Sequence, residues 1–403
     1  MQASRVWLKD PGKDRLHKYD RFIHVMSRRD IDIANYWLTD GQKNENSTTE
    51  SPYKRCLKEY VFEGRTRIFS NTRSPQILNN CLSPKPMKHK RQLPKAADVL
   101  LDAPDILDDY YVNLLGWSNS NILAIALDKT VYLWNGSDGS TSELSTFESA
   151  VTSINWSPDG QRLAVGLHKA EVQLWDLGSR CLFRKLQGVH NSRVGSIAWN
   201  NHILTTAEKK IVNYDTRAEP CAFWTSQGHR GRVCGLRWSP SSRHLASGGD
   251  DGLVHIWDLS MGSKQWLHRF NCHKGSAKAL CWSPVCSNLL ASSGGKSDQH
   301  ILVRNTSTCE VLNVIDTGCQ VSEILWSSDG RELLTSHGSP ANQLILWKYP
   351  SMTKIAELPG HSSRILFMAQ GSDGSTVATA GADELLMRGE LQIKNSGGYK
   401  VLL

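Results

Sequence analysis

The pattern of apolar and polar positions repeats along most of this chain with a period near 40 residues. A short apolar run ending in tryptophan recurs six times, and the six tryptophans lie 39, 43, 39, 44 and 44 residues apart, at positions 117, 156, 199, 238, 282 and 326. A seventh, weaker copy has Gln370 in the tryptophan position, 44 residues after Trp326. Because a repeat of this length forms one small unit that stacks on its neighbours, the period predicts an array of small sheets.

Each repeat carries the alternation expected of short antiparallel strands joined by tight turns. The first strand leads into a turn such as Ser-Pro-Asp-Gly at 157–160, where Pro fixes φ and Gly accepts a positive φ. A second strand rich in small residues follows at 163–166, and a third alternates with period two and ends in Trp-Asp at 175–176. The pattern predicts an all-β fold, a seven-bladed WD-repeat β-propeller over residues 96–390.

Three repeats depart from the tryptophan that closes the third strand. Tyr214 replaces it in the third repeat, and Arg304 in the fifth, where a large apolar ring is lost between sheets. Gly389 stands at that position in the seventh repeat, so we expect a seventh blade with a poor third strand. Residues 391–403 resemble nothing before them and are interpreted as a divergent C-terminal tail.

The histidines of the repeats are expected to be structural. His229, Ser247, Asp251 and Trp257 have the spacing at which propeller blades place a buried hydrogen-bonded chain, and His361 begins the same pattern in the seventh repeat. An unpaired buried polar group is costly, and such a chain satisfies each member. A structural role is therefore favoured over a catalytic one.

The charge of the chain lies at its N-terminal end. Residues 1–95 hold 20 Lys+Arg against 10 Asp+Glu, whereas the remainder holds 27 against 29, within a total formal charge of +8. Polar runs and the lack of a long apolar pattern predict a disordered basic extension over 1–95. A basic tail serves docking on an acidic partner, nuclear import or nucleic-acid contact.

A basic run at 85–91, Lys-Pro-Met-Lys-His-Lys-Arg, resembles a nuclear import patch. It favours a nuclear location, with the cytoplasm as the alternative. Direct nucleic-acid readout is not favoured, because no aromatic residues that could stack on bases are interleaved with these charges.

Composition argues for free thiols and against an enzyme. The ten cysteines form no CxxC pair, and no signal peptide or run of 18 apolar residues is found, so no membrane partner is expected. Gly-Gly-Lys-Ser at 294–297 resembles the end of a phosphate loop, but Leu290 stands where the first glycine is required, and the run lies between two predicted strands. No cofactor and no metal site are expected.

The approach to the first blade carries a more specific pattern. Residues 97–115 read Ala-Asp-Val-Leu-Leu-Asp-Ala-Pro-Asp-Ile-Leu-Asp-Asp-Tyr-Tyr-Val-Asn-Leu-Leu, and 170–176, 233–238 and 343–350 support the same comparison. The chain closely resembles, from about Asp20 to Glu384, the cell-division-cycle-twenty (fizzy) family of co-activators of the anaphase-promoting complex. The chain is identified as a diverged member of that family.

The resemblance implies a co-activator and substrate-recognition subunit of the anaphase-promoting complex, and not an enzyme. The partners implied are the complex, degron-bearing substrates such as cyclins and securin-like proteins, and spindle-checkpoint proteins. Destruction-box peptides lie in a groove between the first and last blades in this family, and their Arg meets acidic residues matched here by Asp109 and Glu384. A carboxylate can hold a guanidinium bidentately. The alternative is that each acidic residue merely lies in a surface turn.

A second degron pocket, for a Lys-Glu-Asn peptide, is matched in part. Gln320 and Arg364 are retained, and Arg364 suits the Glu of that peptide. The family has Asp at the position of Gly116, Asn-Asp-Asn at 250–252 and Thr at the position of Lys296. Since each lost hydrogen bond costs about 1 kcal/mol, we predict that this pocket is impaired.

The docking sequences for the ligase are also altered. The family's box, Asp-Arg-(Phe/Tyr)-Ile-Pro-x-Arg, is matched by four ligase-docking residues, Asp20, Arg21, Phe22 and Ile23, followed by His24 in place of Pro and Met26 in place of Arg. The family ends in Ile-Arg, whereas this chain ends in Val-Leu-Leu. The alternative function is therefore a diverged paralogue that keeps the protein-binding propeller but engages the ligase weakly or not at all.

Overall fold

The computed structural model describes residues 97–219, 222–261 and 265–390, which form seven four-stranded antiparallel sheets. A first strand, β1 (Val99–Asp102), precedes the repeats. Blades one to three then contain, in chain order, β2 (Leu115–Trp117), β3 (Ile122–Leu127), β4 (Thr130–Asn135), β5 (Thr141–Thr146), β6 (Val151–Trp156), β7 (Arg162–Leu167), β8 (Val172–Asp176), β9 (Cys181–Leu186), β10 (Ser196–Asn200), β11 (Ile203–Ala207), β12 (Ile211–Asp215) and β13 (Ala222–Ser226).

Blades four to seven continue the same order of strands. A short 3₁₀ helix at Leu259–Met261 interrupts blade four. The strands are β14 (Val233–Trp238), β15 (His244–Gly249), β16 (Leu253–Asp258), β17 (His268–Asn271), β18 (Leu280–Trp282), β19 (Leu289–Ser293), β20 (His300–Asn305), β21 (Val311–Asp316), β22 (Val321–Trp326), β23 (Glu332–His337), β24 (Gln343–Lys348), β25 (Thr353–Pro359), β26 (Ile365–Gln370), β27 (Thr376–Gly381) and β28 (Leu385–Glu390). The expected all-β, seven-bladed propeller is confirmed.

Antiparallel pairing within each blade sorts the connections onto two faces of the ring. Turns from first to second strands, such as Ser-Pro-Asp-Gly at 157–160, lie on one face. Turns from second to third strands, and the connections that lead into the next blade, lie on the other. We call this second face the upper face, and it carries every propeller residue that was predicted to bind a degron.

The ring is closed by a strand that the repeat pattern does not reveal. β1 pairs antiparallel with β28 and becomes the outer strand of the seventh blade, so that Val99 lies opposite Arg388 and Asp102 opposite Leu385. Beyond the strand, the Ala103 N–H donates to the Glu384 carbonyl at 2.7 Å. The last blade is therefore built from both ends of the propeller, which ties the first blade to the seventh.

The third strand of the seventh blade is better formed than expected. β28 pairs with β27 from Thr376↔Glu390 to Ala380↔Leu386, and with β1 on its other edge. The expectation of a poor strand was wrong because backbone pairing does not need the missing side chain. The predicted position of the missing ring is nonetheless correct, since Gly389 lies opposite Val377 in the register that places Trp347 opposite Leu333.

Apolar side chains pack between the blades, and the predicted histidine chain lies among them. The His229 imidazole contacts Asp251 through Nδ1 at 3.1 Å and Ser247 through Nε2 at 2.8 Å, and the Trp257 N–H donates to Ser247 Oγ at 2.8 Å. His361 is likewise held by Asp383 and Thr379, each at 2.9 Å. The structural interpretation of these histidines is confirmed.

In blade five, the guanidinium of Arg304 partly replaces the tryptophan ring that other blades have at this position. Arg304 Cζ lies 4.2 Å from the centre of the Phe270 ring, and its Nη1 donates to the Cys309 carbonyl at 2.9 Å. The position thus keeps a planar group against an aromatic neighbour.

The predicted domain limits at 95 and 391 remain predictions, because the extension 1–95 and the tail 391–403 lie outside the described residues. Within the described ranges, no helix has the length and hydropathy to cross a membrane. In the same ranges, no three His, Cys, Asp or Glu side chains are grouped so as to hold a metal ion.

Candidate functional site

The segment at 103–113, which joins β1 to β2, crosses the upper face of the ring. We call it the crossing segment. The Tyr110 hydroxyl donates to the Val321 carbonyl of blade six at 3.2 Å, and the Tyr111 hydroxyl lies 3.1 Å from Ser276 Oγ in the connection between blades four and five. Farther along, Asn113 Nδ2 donates to the Gly195 carbonyl at 2.9 Å. These contacts anchor the segment on blades that are distant in sequence.

A buried lysine supports the crossing segment from below. Lys278 is 3% exposed, and its Nζ donates to the Leu366 carbonyl at 3.3 Å. The same Nζ lies 5.3 Å from the centre of the Tyr110 ring and 4.8 Å from that of Phe367. Burial lowers the pKa of Lys278, although the Glu323 carboxylate opposes this by favouring the charged form. Lys278 therefore joins Tyr110 of the crossing segment to Phe367 of blade seven.

A cavity of about 730 Å³ opens between the crossing segment and the connections of blades four to seven. Its polar lining combines three aspartates with three cations, an amide, two tyrosines and two serines. The charged and polar lining side chains are Asp108, Asp109, Tyr110, Tyr111, Asp250, Lys274, Ser276, Lys296, Ser297, Gln320 and Arg364. The composition fits a polar or charged peptide better than an apolar ligand.

Asp109, a predicted destruction-box residue, lies in this cavity and is already paired. Arg193 Nη1 donates to its Oδ2 at 2.6 Å, and the Tyr111 N–H donates to its Oδ1 at 2.8 Å. Burial alone would raise the pKa of Asp109, but these donors and the nearby cations bring it below its usual value. The carboxylate is therefore ionised and held in a fixed orientation.

Glu384, the other predicted destruction-box residue, lies on the same face but outside the cavity lining. It occupies the turn from β27 to β28 with a φ of 59°, and its side chain is exposed. Its carbonyl accepts the Ala103 N–H, so the turn adjoins the start of the crossing segment that carries Asp109. That the two carboxylates hold one guanidinium stays a prediction.

The structure brings both residues of the predicted second pocket into the cavity. Gln320 and Arg364 line it together with Asp109. Arg364 Nε donates to Asp108 Oδ1 at 2.6 Å and its Nη2 to the Asp108 carbonyl at 3.0 Å. A peptide Glu would therefore have to share Arg364 with Asp108, which supports the prediction of an impaired pocket without testing it.

The residues at which the chain departs from its family are distributed between the cavity and the blades. Asp250 and Lys296 line the cavity, whereas Gly116 is a β2 residue whose carbonyl accepts the Trp156 indole N–H at 3.2 Å. Gly252 has a φ of 73°, and a Cβ there would collide with the His273 carbonyl, so the local backbone suits glycine. In the part of the chain that the structure describes, Lys296 forms no ion pair.

Sequence reasoning missed the partners of these side chains. Arg193 and Asp108 were not singled out, because each lies in a connection with no repeat signal of its own. The paired tyrosines beside Asp109 were the available signal for a segment anchored by its aromatic groups. The predicted docking residues Asp20, Arg21, Phe22 and Ile23 lie outside the described residues.

Comparison with known proteins agrees with this architecture. The sequence model described as the CDC20/Fizzy WD40 domain matches residues 101–387. A protein of Arabidopsis thaliana named Cell division cycle 20.1, cofactor of APC complex, is 49% identical over 403 aligned residues, which cover 94% of this chain and 88% of that protein.

A second relative, from another organism, and a solved structure are also similar to this chain. The anaphase-promoting complex subunit cdc20 of Dictyostelium discoideum is 46% identical over 305 residues, covering 74% of this chain and 61% of that protein. Among solved structures, a chain in the crystal structure of the mitotic checkpoint complex superposes with a TM-score of 0.73 and 39% identity, covering 75% of this chain and 97% of that chain.

Proposed function

The chain belongs to the CDC20/Fizzy family, and on that basis we propose that it is a co-activator of the anaphase-promoting complex. It binds destruction-box degrons and presents mitotic substrates to the ligase for ubiquitination. The observation that carries the proposal is the 49% identity, over 94% of the chain, to a relative named as a cofactor of that complex. The likeness to a chain of the mitotic checkpoint complex supports spindle-checkpoint proteins as further partners.

The chain acts as an adaptor and performs no chemical step in this proposal. A receptor that holds a substrate and the ligase at once raises the effective concentration of the substrate beside the ligase. Substrate affinity comes mainly from Asp109 and Glu384 on the upper face, and ligase affinity from residues 20–23. The Lys-Glu-Asn pocket contributes little, because Arg364 is engaged by Asp108.

The test is a pull-down of the anaphase-promoting complex with the full chain and with an Arg21→Ala, Ile23→Ala double variant. The matched control is Lys54→Ala, Leu57→Ala, which removes one basic and one apolar residue from the same extension. Binding that the first pair abolishes and the second pair leaves intact supports the proposal.

Failure of the unmutated chain to bind would favour the second candidate, a diverged paralogue that keeps the propeller but engages the ligase weakly or not at all. The observation that favours this candidate is the replacement of the family's Pro and final Arg by His24 and Met26. A Met26→Arg, His24→Pro variant that gains binding would identify those two positions as the cause.

We also propose a nuclear location, on the basis of the basic run at 85–91. Replacing Lys88, Lys90 and Arg91 by Ala in a fluorescent fusion should move the protein to the cytoplasm. Replacing Lys9, Lys13 and Arg15 in the same way removes equal charge and serves as the control. Unchanged nuclear fluorescence in the first variant would contradict the role of this run.

A further inference from the structure

Blade seven contains an empty position where other blades hold an indole ring. Gly389 of β28 lies opposite Val377, at the register where Trp257 lies opposite Leu245 in blade four. Apart from Gly389 and its two chain neighbours, no described residue has an atom within 4 Å of the point that a Cβ would occupy at Gly389. The fold has therefore kept the place of the closing tryptophan without its side chain.

A pocket of about 370 Å³ occupies this place, between blades six and seven. Its walls are mainly apolar side chains of the two blades and of β1, and Leu100 at its edge is 58% exposed, so the pocket opens toward the outer edge of the ring. The apolar lining side chains are Ala97, Leu100, Leu344, Leu358, Pro359, Ile365, Val377 and Met387. The volume is within the range of about 300–1,000 Å³ that small-molecule sites have.

The blades that have a tryptophan at this position show which polar contact its indole N–H makes. In blade four the Trp257 N–H donates to Ser247 Oγ at 2.8 Å, and in blade six the Trp347 N–H donates to Thr335 Oγ1 at 2.9 Å. In both blades the hydroxyl lies on the second strand, two residues beyond the partner of the tryptophan.

Blade seven retains this hydroxyl as Thr379, which is 4% exposed and lines the pocket. His361 Nδ1 contacts the Asp383 carboxylate at 2.9 Å, so its Nε2 can accept the Thr379 O–H, which lies at 2.9 Å. The Thr379 oxygen can still accept a hydrogen bond, and within the described ranges no indole N–H donates to it. The pocket thus offers apolar walls and one oriented acceptor.

We propose that this pocket is a binding site for a small molecule of the indole class, a planar bicyclic aromatic ring that carries an N–H donor. The ring fills the position left by Gly389, contacts Met387 and Val377, and donates its N–H to Thr379 Oγ1. An engineered apolar protein cavity of about 150 Å³ binds free benzene, which shows that packing alone can hold an aromatic ring. Occupancy completes the packing between blades six and seven and stabilises the closed ring. The inference does not depend on the proposed function.

An occupant of this site must enter without pairing to the backbone of the closing strand. The closing position belongs to the third strand of the blade, and β28 is hydrogen-bonded to β27 on one edge and to β1 on the other. A partner's main chain cannot take that place without breaking the sheet. A small molecule needs only the volume and the opening beside Leu100.

The test is thermal unfolding of the full chain with added indole, compared with benzofuran, which has the same shape but no N–H. At a concentration 100 times its Kd, indole should raise the Tm by about 4 °C for a propeller of this size, and benzofuran at the same concentration should raise it less. Gly389→Trp fills the pocket, so indole should then leave the Tm unchanged. Thr379→Val should remove the preference for indole, whereas Thr379→Ser should keep it.

A second measurement avoids any variant that fails to fold. Isotope-filtered NOE spectra of the full chain with indole should show contacts between ring protons and the Met387 methyl group. Absence of these contacts at saturating indole would overturn the proposal. Equal Tm shifts by indole for the unmutated chain and for folded Gly389→Trp would overturn it as well.

Discussion

Asp109 and Arg193 lie 84 residues apart in sequence and are joined at 2.6 Å on the upper face of the ring. The pair is partly shielded, with 24% of the Asp109 side chain and 15% of the Arg193 side chain exposed. A substrate guanidinium that binds Asp109 must therefore share the carboxylate with Arg193 or displace it. If Asp109 binds a destruction-box Arg as proposed, Arg193 competes with that Arg for the carboxylate.

Removing Arg193 should strengthen destruction-box binding. In Arg193→Ala, Asp109 keeps its Tyr111 N–H bond but has a free Oδ2, so a fluorescent destruction-box peptide should bind about 3- to 10-fold more tightly. Asp109→Asn removes the charge and should weaken the same peptide about tenfold. Fluorescence anisotropy at fixed ionic strength measures both.

A peptide in which the Arg is replaced by Ala serves as the control for this pair. Its affinity should change little in either variant, because the charge-assisted contact is already absent. Equal weakening of both peptides in Asp109→Asn would mean that Asp109 orders the crossing segment and does not bind the substrate Arg.

The repeat pattern predicts the seven blades because each copy buries a tryptophan and an alternating strand at a fixed spacing. It does not predict β1, since Val99–Asp102 is a four-residue strand with no copy elsewhere in the chain and pairs with β28 almost 290 residues later. For the same reason, the sequence does not predict that Arg193 pairs with Asp109 or that Asp108 pairs with Arg364. A contact between two connections has no local period, and only the closure of the ring brings them together.

Replacing Lys296 should partly restore the Lys-Glu-Asn pocket. Lys296 lines the same cavity as Gln320 and Arg364, and its charge opposes a peptide Lys that enters there. Lys296→Thr should increase the affinity for a Lys-Glu-Asn peptide about 3- to 10-fold, because like charges within a partly enclosed cavity repel by on the order of 1 kcal/mol. Isothermal titration at low and high salt measures the change.

Lys296→Arg, which keeps the charge, is the matched control and should leave the affinity low. The gain in Lys296→Thr should shrink at high salt, since screening weakens the repulsion that the substitution removes. A gain that is independent of salt would contradict the electrostatic explanation.

A buried neutral histidine should make the propeller sensitive to acid. Burial, assisted by His229, lowers the pKa of His255 to about 3, and its Nε2 has no hydrogen-bond partner among the described residues. The unfolded chain takes up a proton at this histidine below pH 6.5, whereas the folded chain does not until about pH 3. Stability is therefore lost as the pH falls through this window, by about 2 kcal/mol at pH 5.

His255→Phe should remove that loss. Phe keeps a planar ring between Trp257 and Trp266. The contact of His255 Nδ1 with His229 Nε2 at 3.1 Å is lost, but His229 retains its Ser247 contact at 2.8 Å. Urea unfolding at pH 7.5 gives the difference in free energy that the lost His229 contact causes, about 1 kcal/mol, and serves as the internal control. At pH 5 the variant should be the more stable, and an equal loss in both proteins would show that other groups cause the acid sensitivity.

Closure of the ring should depend on the backbone that follows β1. The Ala103 N–H donates to the Glu384 carbonyl at 2.7 Å, and the side chain is only 1% exposed. Ala103→Pro deletes this donor at the point where the first and last blades are joined, and should lower the free energy of unfolding by about 2–3 kcal/mol. Ala103→Gly keeps the N–H and should lower it by about 1 kcal/mol or less.

The same two variants, Ala103→Pro and Ala103→Gly, test whether closure of the ring affects substrate binding. The Ala103 contact fixes the Glu384 turn against the crossing segment that carries Asp109, so Ala103→Pro should also weaken a destruction-box peptide at temperatures where the variant is fully folded. Chemical unfolding gives the stability, and anisotropy at 10 °C gives the affinity. A receptor built from both ends of the ring requires the two ends to be held in register, so affinity should fall together with stability. Loss of stability with unchanged affinity would contradict this and show that the segment and the turn bind the peptide independently of their junction.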